Sequence, residues 1–358
     1  MPTALVTGFP GFIGRRLVRA LLDDHADLRV VALVEGRMAG IARTVAADEQ
    51  RLEILPGDIS KRRLGLSDAD WDRLAAEVTH VFHLAAIYDL AVPDELAQRV
   101  NVDGTGNVLE LCLEARDLQR HVYISTAYVA GKRHGVVYEH ELVMGQDFKN
   151  HYESTKFQAE VWVHETRERV PTTILRPAIV VGDSRTGETE KFDGPYYLLR
   201  TISRMARANR AVVQFGHSDA TFNVVPVDFV VAAIVAAAFD DAAAGETLHL
   251  VDPHPLTTKE LVTTLSERYA GRAPAGRVPP ALAEASLRLR PVRDMLGGTP
   301  RESIAYLNHA VTFDARRAVD LLTPHGLTPP RFPEYAERMV GFFREHEDDP
   351  SFAPRSGG

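Results

Sequence analysis

Cysteine is almost missing from this sequence. Cys112 is the only one among 358 residues, so neither an internal disulfide nor a thiolate metal cluster is available. No C-x-x-C or H-E-x-x-H pattern occurs either, and no metal site is expected. Positive charge is in short supply: 41 Lys and Arg stand against 49 Asp and Glu, a formal net charge of -8. That balance repels phosphate polymers and anionic membranes and argues against nucleic acid as a partner. Long hydrophobic runs are also lacking. The longest, Phe229 to Phe239, is bracketed by Asp228 and Asp240 and falls short of the roughly 18 residues that suggest a membrane span, so it reads as a buried helix. No basic segment followed by an apolar stretch opens the chain, because Met1-Pro2-Thr3 leads directly into Ala4-Leu5-Val6. No secretory leader is expected, and the lone cysteine points to a reducing cytoplasm.

What is present is ordinary globular material, 45% hydrophobic and 25% charged, with length for two or three domains or one large one. Short β-branched runs alternate with longer amphipathic stretches, the pattern of parallel strands joined by crossover helices. Strands are predicted at Thr3–Thr7, Arg29–Val34, Leu52–Pro56, His80–Leu84, His121–Ser125, Thr173–Arg176 and Thr247–Val251. Helices between them include Phe12–Leu22, Val102–Glu114 and Tyr152–Glu168. The expected fold class is α/β, a doubly wound parallel sheet with a smaller, mostly helical lobe. After Gly182 the alternation gives way to a Gly-, Asp- and Thr-rich loop, and from Thr257 the pattern is mostly helical, opening with a Thr257/Glu260 capping box. The Pro/Arg-rich stretch from Arg272 to Pro291 reads as a connector. The expected division is a core over residues 1–182, a lobe over 183–347 interleaved with late core elements, and a frayed tail over 348–358.

The first chemical signal is Thr7-Gly8-Phe9-Pro10-Gly11-Phe12-Ile13-Gly14, which follows a strand and opens an apolar helix. Gly8, Gly11 and Gly14 permit a tight turn and close approach of backbone to a pyrophosphate, while the helix N-terminus beginning at Phe12 and Ile13 offers free N–H groups and positive potential. A plain glycine-rich turn is the bland alternative. Against it stands Glu35, about twenty residues past Gly14 at the end of a second strand, where a carboxylate accepts from adenosine ribose hydroxyls. Glu35 favours NAD because it repels the 2′-phosphate of NADP. Arg37, with Arg15 and Arg16, pulls the other way, leaving a near-even choice that leans to NAD. Asp58, with Ile59 beside it, is placed for the adenine edge, although a turn-forming aspartate is nearly as good a reading.

The second signal is Tyr152-Glu153-Ser154-Thr155-Lys156. Residues four apart share a helix face, so Lys156 can stand beside the Tyr152 hydroxyl and also reach a ribose. An adjacent ammonium favours the phenolate and brings the phenol toward useful acid–base behaviour. Tyr128 and Lys132 have the same spacing, but Gly131 lies between them as the chain leaves a strand. Thr126, after Ser125 at the carboxyl end of the fifth strand, supplies the hydroxyl partner that favours Tyr152.

Together with His83-Leu84-Ala85-Ala86, Asn101-Val102-Asp103-Gly104-Thr105 and Arg176-Pro177-Ala178, these motifs resemble the extended short-chain dehydrogenase/reductases over about the first half of the chain. The resemblance implies a Rossmann-type core and roles residue by residue. Thr126 polarises the substrate oxygen, Tyr152 is the acid–base, Lys156 binds ribose and tunes Tyr152, Asn101 holds a proton-relay water, and Ala85, Ala86 and Pro177 line the cofactor. The stretch from Gly182 to Tyr197 is similar to the fatty acyl-CoA reductase and thioester reductase-like branch, as is threonine at position 126. Glu35 departs from that branch, whose NADPH-using members carry arginine near that position.

The resulting expectation is a soluble NAD(P)-dependent oxidoreductase that passes hydride between nicotinamide and a carbonyl carbon. Its substrate is expected to be an apolar acyl thioester, linked to coenzyme A or a carrier protein, or the related aldehyde or ketone. A sugar-nucleotide epimerase or a 3β-hydroxysteroid-type dehydrogenase uses the same triad, and a non-catalytic NAD(P)-sensing regulator is a third reading. The resemblance allows a homodimer; the sequence is silent on it. Arg200, Arg204 and Arg207 could form a phosphate-binding helix face, but a solvated face is the better reading. Phe192, Tyr196, Tyr197, Met205, Phe215 and Phe222 are most simply core. His151 is read as solvent-facing, His83 as a core histidine, Asp228 as a helix cap and Cys112 as packing.

Overall fold

Parallel strands buried on both faces read as near-continuous Val/Ile/Leu runs, and here they order themselves into one seven-stranded sheet. The computed structural model describes residues 1–47, 49–88, 92–214, 219–276 and 306–353. Phe215, the connector from residue 277 onward and residues 354–358 of the tail lie outside them. The sheet strands are β1 (Thr3–Thr7), β2 (Arg29–Val34), β3 (Leu52–Pro56), β4 (Val78–His83), β5 (Arg120–Ile124), β7 (Thr172–Pro177) and β10 (Thr247–Leu250), in the order β10-β7-β5-β4-β1-β2-β3. Every pairing is parallel. From β1 the chain runs outward through β2 and β3, then returns to place β4 on the other side of β1. That reversal opens a crevice at the carboxyl ends of β1 and β4, where ligands of open α/β sheets bind.

Strand alternation sorts the two faces. Ala4 and Val6 of β1 face a core with α1 (Phe12–Asp24) and the apolar α8 (Val227–Phe239), while Leu5 faces Trp71 and Leu74 of α3 (Asp68–Glu77) and Val108 and Leu111 of α5 (Gly104–Glu114). The predicted buried helix at Phe229–Phe239 is thus α8, lying across the sheet against α1. Near the crevice, α6 (His151–Thr166) packs its Ala159 and Val163 on Tyr123 and Ile174 of β5 and β7. The remaining helices are α2 (Ala39–Ala46), α4 (Asp94–Ala97), α7 (Tyr196–Arg207), α9 (Thr258–Ala270, with the capping box at Thr257 and Glu260), α10 (Arg316–Leu322) and α11 (Phe332–His346). Helices α7, α9 and α11 pack together. Two short parallel pairs, β6 (Gly135–Val137) with β11 (Val311–Phe313) and β8 (Ile179–Val181) with β9 (Val224–Pro226), join later segments to the core.

Most boundaries beyond β3 differ from expectation by one or two residues, and two of the differences carry meaning. Strand β4 starts at Val78 because Val78 already pairs with Thr3 before a register shift. The helix expected from Val102 is preceded by α4 and a π-helical turn, Gln98–Asp103, that contains Asn101; such turns recur at functional sites. Among the described residues no helix is long and apolar enough to cross a membrane.

Candidate active site

The loop after β1 is shaped so that only backbone occupies its inner surface. Gly8 has φ +89°, and a Cβ there would sit 3.0 Å from the amide nitrogen of Ala85; a Cβ on Gly14 would come within 2.5 Å of the Gly8 carbonyl oxygen. Gly11 is the N-cap of α1 without a side-chain cap, and its own N–H donates to Gly8 O at 3.0 Å. Free helix N–H groups above a glycine cradle fit a pyrophosphate. Phe12 and Ile13, both half-buried, form the first turn. Arg16 lies over the Phe12 ring at 4.5 Å, and Arg15 and Arg16 both reach Glu188 (3.4 and 2.9 Å), which comes over from the loop after β8.

Beneath the cradle runs a chain of hydrogen bonds whose direction fixes a tautomer. Thr105 donates its hydroxyl to the Asn101 carbonyl at 2.7 Å, so the 3.1 Å contact between Thr105 Oγ1 and His83 Nε2 must be donated by histidine. His83 Nδ1 is then an acceptor and takes the Thr7 hydroxyl at 2.8 Å, while Thr7 Oγ1 accepts from the N–H groups of Leu84 and Ala85. Burial, with Lys156 nearby, holds His83 well below the usual imidazole range and keeps it neutral. The core histidine is therefore a strut joining the β1 loop to Ala85 and the Asn101 turn.

At the adenosine side, Glu35 follows β2 and pairs with Arg37 at 2.8 Å, both partly exposed. Asp58 accepts from the Ser60 N–H and hydroxyl at 2.9 and 2.7 Å, both on Oδ1, the geometry of a turn-forming aspartate. Ile59 packs where a Cβ on Gly104 would meet it at 3.0 Å, and its carbonyl accepts from Asn107. Ala86 lies half-buried beyond Ala85, and Pro177 ends β7.

Thr126 and Tyr152 converge. The Thr126 hydroxyl is buried at the carboxyl end of β5, within 3.5 Å of Pro177 O and close to the Tyr152 phenol. Burial pushes Tyr152 above the usual phenol range, with the Thr126 contact working in the other direction. Helix α6 starts one residue before Tyr152 because Asn150 caps it, accepting from Glu153 N at 3.0 Å. The competing pair, Tyr128 and Lys132, fails as the helical pattern requires: Tyr128 lies in a 3-10 turn and Gly131 has φ +61°.

Two of the candidates have protein partners that the sequence did not indicate. Lys156 does not hydrogen-bond Tyr152 among the described residues; its ammonium donates to Tyr123 Oη and to Ile124 O, both at 2.8 Å. Burial brings Lys156 down to about 7, against the pull of Glu160. The Asn101 side chain, expected to hold a water, has two protein contacts: Oδ1 accepts from Ile87 N at 2.8 Å and Nδ2 donates to Thr155 Oγ1 at 3.0 Å. It joins the segment after β4 to α6.

The sequence reading missed the two-rung ladder of which Lys156 is half. Residues two apart on a strand and four apart on a helix advance by nearly the same distance, so Tyr123 and Ser125 meet Lys156 and Glu160 rung by rung. Ser125 Oγ donates to Glu160, which also receives Arg176 Nε at 2.9 Å from β7. Although burial opposes its charge, Arg176, His164 and Ser125 hold Glu160 down to about 2. Arg176 continues to Glu139 O and His249, whose Nδ1 contacts Asp314 O at 2.7 Å. Tyr88 was missed as well; its ring meets Tyr152 edge-on at 5.3 Å, beneath Lys191 at 5.0 Å. Only the strand and helix periodicities could have signalled the ladder, and nothing in the sequence signalled Tyr88.

Other candidates settle into structural places. His151 pairs with Asp94 at 3.1 Å near the surface. Asp228 does not cap α8; it accepts from the N–H and hydroxyl of Ser184 and so ties the loop after β8 to the helix. Arg200 reaches Phe352 O and Arg207 pairs with Glu347 and Asp348, so the arginine face of α7 is bound to the chain's own C-terminal segment. Phe192, Tyr196, Tyr197 and Phe222 are core, with Met205 at its margin, and Cys112 is packed on α5.

A glycine cradle at the sheet's switch point, with the buried Thr126 and the half-buried Tyr152 at the same sheet edge, is the arrangement of the extended short-chain dehydrogenase/reductase class. The sequence profile of the family described as male sterility protein matches residues 6–234, and the chain belongs to that family. It is 30% identical over 285 residues to the L-2-aminoadipate reductase large subunit of Penicillium chrysogenum, covering 71% of this chain and 20% of that protein. It is 28% identical over 289 residues to a carboxylic acid reductase of Segniliparus rugosus, covering 70% and 24%. The chain thus spans about a quarter or less of the curated relatives it matches. In three dimensions it is similar to the terminal R domain from the myxalamid PKS-NRPS biosynthetic pathway, with a TM-score of 0.78, 26% identity, and coverage of 99% of this chain and 93% of that one.

Proposed function

We propose that this protein reduces an acyl thioester, carried on coenzyme A or a carrier protein, to the aldehyde. The observation that carries the reading is the Thr126–Tyr152 hydroxyl pair beside the glycine cradle, and the likeness to relatives named as reductases supports the substrate class. Reduced nicotinamide, when bound, would supply the hydride that the acyl carbon gains; the carbon–sulfur bond breaks, and the sulfur leaves as the thiol with the proton that Tyr152 contributes. Thr126 directs its hydroxyl to the carbonyl oxygen, where negative charge develops. Tyr152, held protonated at neutral pH by its surroundings, is the acid that a reduction needs. The Lys156 ammonium, with two donors fixed by β5, has a third for a ribose hydroxyl. Glu35 at the end of β2 supports NADH over NADPH, and its pairing with Arg37 leaves that guanidinium already occupied.

The test is turnover of a long-chain acyl-CoA with NADH or NADPH, followed by loss of reduced-nicotinamide absorbance and identification of the product. Aldehyde formation is expected, faster with NADH, and Tyr152→Phe should lower kcat by about 10²–10⁴-fold. Full turnover by that variant overturns the mechanism, and no turnover with either cofactor removes the acyl thioester reading for that substrate.

A further inference from the structure

We propose that Tyr123 is a positioning residue for Lys156, presenting its ammonium to the cofactor cleft; the proposal rests on the reading of that cleft given above. Lys156 is almost wholly buried, and an ammonium there needs its hydrogens satisfied. Tyr123 supplies two kinds of contact: its hydroxyl accepts at 2.8 Å, and its ring centroid lies 4.2 Å from Nζ. Ile124 O takes a second hydrogen at 2.8 Å. With both acceptors on β5, the direction of the third N–H is set by strand backbone and a ring packed among Leu109, Ala159 and Val163. The phenol itself lies within reach of the Thr105 hydroxyl. Thr105 is held by Asn101 and His83, and His83 by Thr7 at the foot of the glycine loop. Lys156 is therefore connected through side chains to the same loop that forms the dinucleotide cradle, with no contact from Tyr152 required.

Among the described residues, Glu160 one turn along α6, Tyr123 from β5 and His83 from β4 face the ammonium, and Tyr152 lies one turn back on α6. Removing the phenol oxygen leaves Glu160 in place and takes away one acceptor of the charged form, so the ammonium loses its proton more readily. Cofactor binding should then weaken at neutral pH, and its loss with rising pH should begin at lower pH than in the parent.

The experiment is NADH and NADPH binding by fluorescence titration from pH 6 to 9 in the parent, Tyr123→Phe, Lys156→Ala and the double variant. Tyr123→Phe keeps the ring and is expected to weaken binding about fivefold or more at pH 7.5 and to shift the pH midpoint downward. In the Lys156→Ala background the same substitution should change neither quantity, because the acting group is gone. Equal affinity and pH midpoint in the parent and Tyr123→Phe overturn the proposal, as does an undiminished effect in the Lys156→Ala background. If Tyr123→Phe unfolds while the double variant folds, the coupling is read through stability and the proposal stands; if both unfold, Tyr123 is structural and the proposal falls. Failure of the parent to bind either dinucleotide is the separate outcome that overturns the cleft reading and this proposal with it.

Discussion

Arg176 meets Glu160 at 2.9 Å between β7 and α6, and Arg207 meets Glu347 at 2.8 Å between α7 and the residue after α11. The first pair is sealed, with side chains 1% and 0% exposed, and continues into Ser125, Glu139 and His249; the Arg207 side chain is 53% exposed. Equal lengths therefore hide different physics. In the interior each ion has given up water, so its partners must replace the lost hydration and removal of one partner leaves an orphaned charge. At the surface water screens the attraction and takes over when a partner leaves. The polar groups that position the candidate site belong to the first kind, and those that fasten the C-terminal segment include the second.

The largest effect that follows from this contrast is acid instability. Burial holds His80 at about 4, His121 at about 3 and His309 at about 4; burial and Arg176 hold His249 at about 3. Unfolded, each takes up a proton near pH 6.5, whereas folded none does until the pH reaches those lower values. Between about pH 6.5 and 4 the unfolded chain binds more protons, so stability falls as the medium is acidified, by about 1.4 kcal/mol per pH unit for each such histidine. Urea-unfolding midpoints at pH 7.5, 6 and 5 should drop steeply. A flat response would mean that these interior groups are not sealed from water, and the contrast would collapse.

A direct break comes next. Arg176→Met strands Glu160, leaving Ser125 and His164 as its neighbours, and is expected to destabilise the fold by about 3–5 kcal/mol. The double variant Arg176→Met/Glu160→Met removes the orphaned charge and should recover much of that loss. Chemical denaturation of the three proteins decides it: if the double variant is no better than the single, the cost lies in packing and not in the stranded carboxylate.

These interior pairs also mark where sequence reading succeeded and stopped. The sheet was legible because parallel strands leave unbroken apolar runs, and the cradle because Gly8 and Gly14 leave no alternative residue at their positions. Thr126 and Tyr152 could be paired from a strand end and a helix start alone. The orientation of Lys156 was not legible, since the i, i+4 rule says which face a side chain occupies and not which of two neighbours on that face receives its hydrogens. The contacts of Asn101 likewise were not legible, because the π-helical turn that directs its amide to Ile87 and Thr155 leaves no signature in Asn101-Val102-Asp103-Gly104-Thr105. Asp228 was assigned to capping from its place before an apolar run, and only the returning loop at Ser184 reveals its actual partner.

The smallest effect is the sharpest test of the surface half of the comparison. Arg207 reaches both Glu347 and Asp348 at 2.8 Å. If contact number governed, Arg207→Ala would rival Arg176→Met. Exposure argues otherwise: long side chains held in one geometry lose entropy, and solvent accepts the Asp348 carboxylate, 78% exposed, once the guanidinium is gone. Glu347 keeps the Tyr269 hydroxyl at 2.7 Å and the Ser203 hydroxyl, so its carboxylate is not orphaned. The expected result is an unfolding midpoint indistinguishable from the parent in moderate salt, with any difference appearing only at low ionic strength. A loss comparable to Arg176→Met, persisting in salt, would show that the C-terminal segment is held by charge after all.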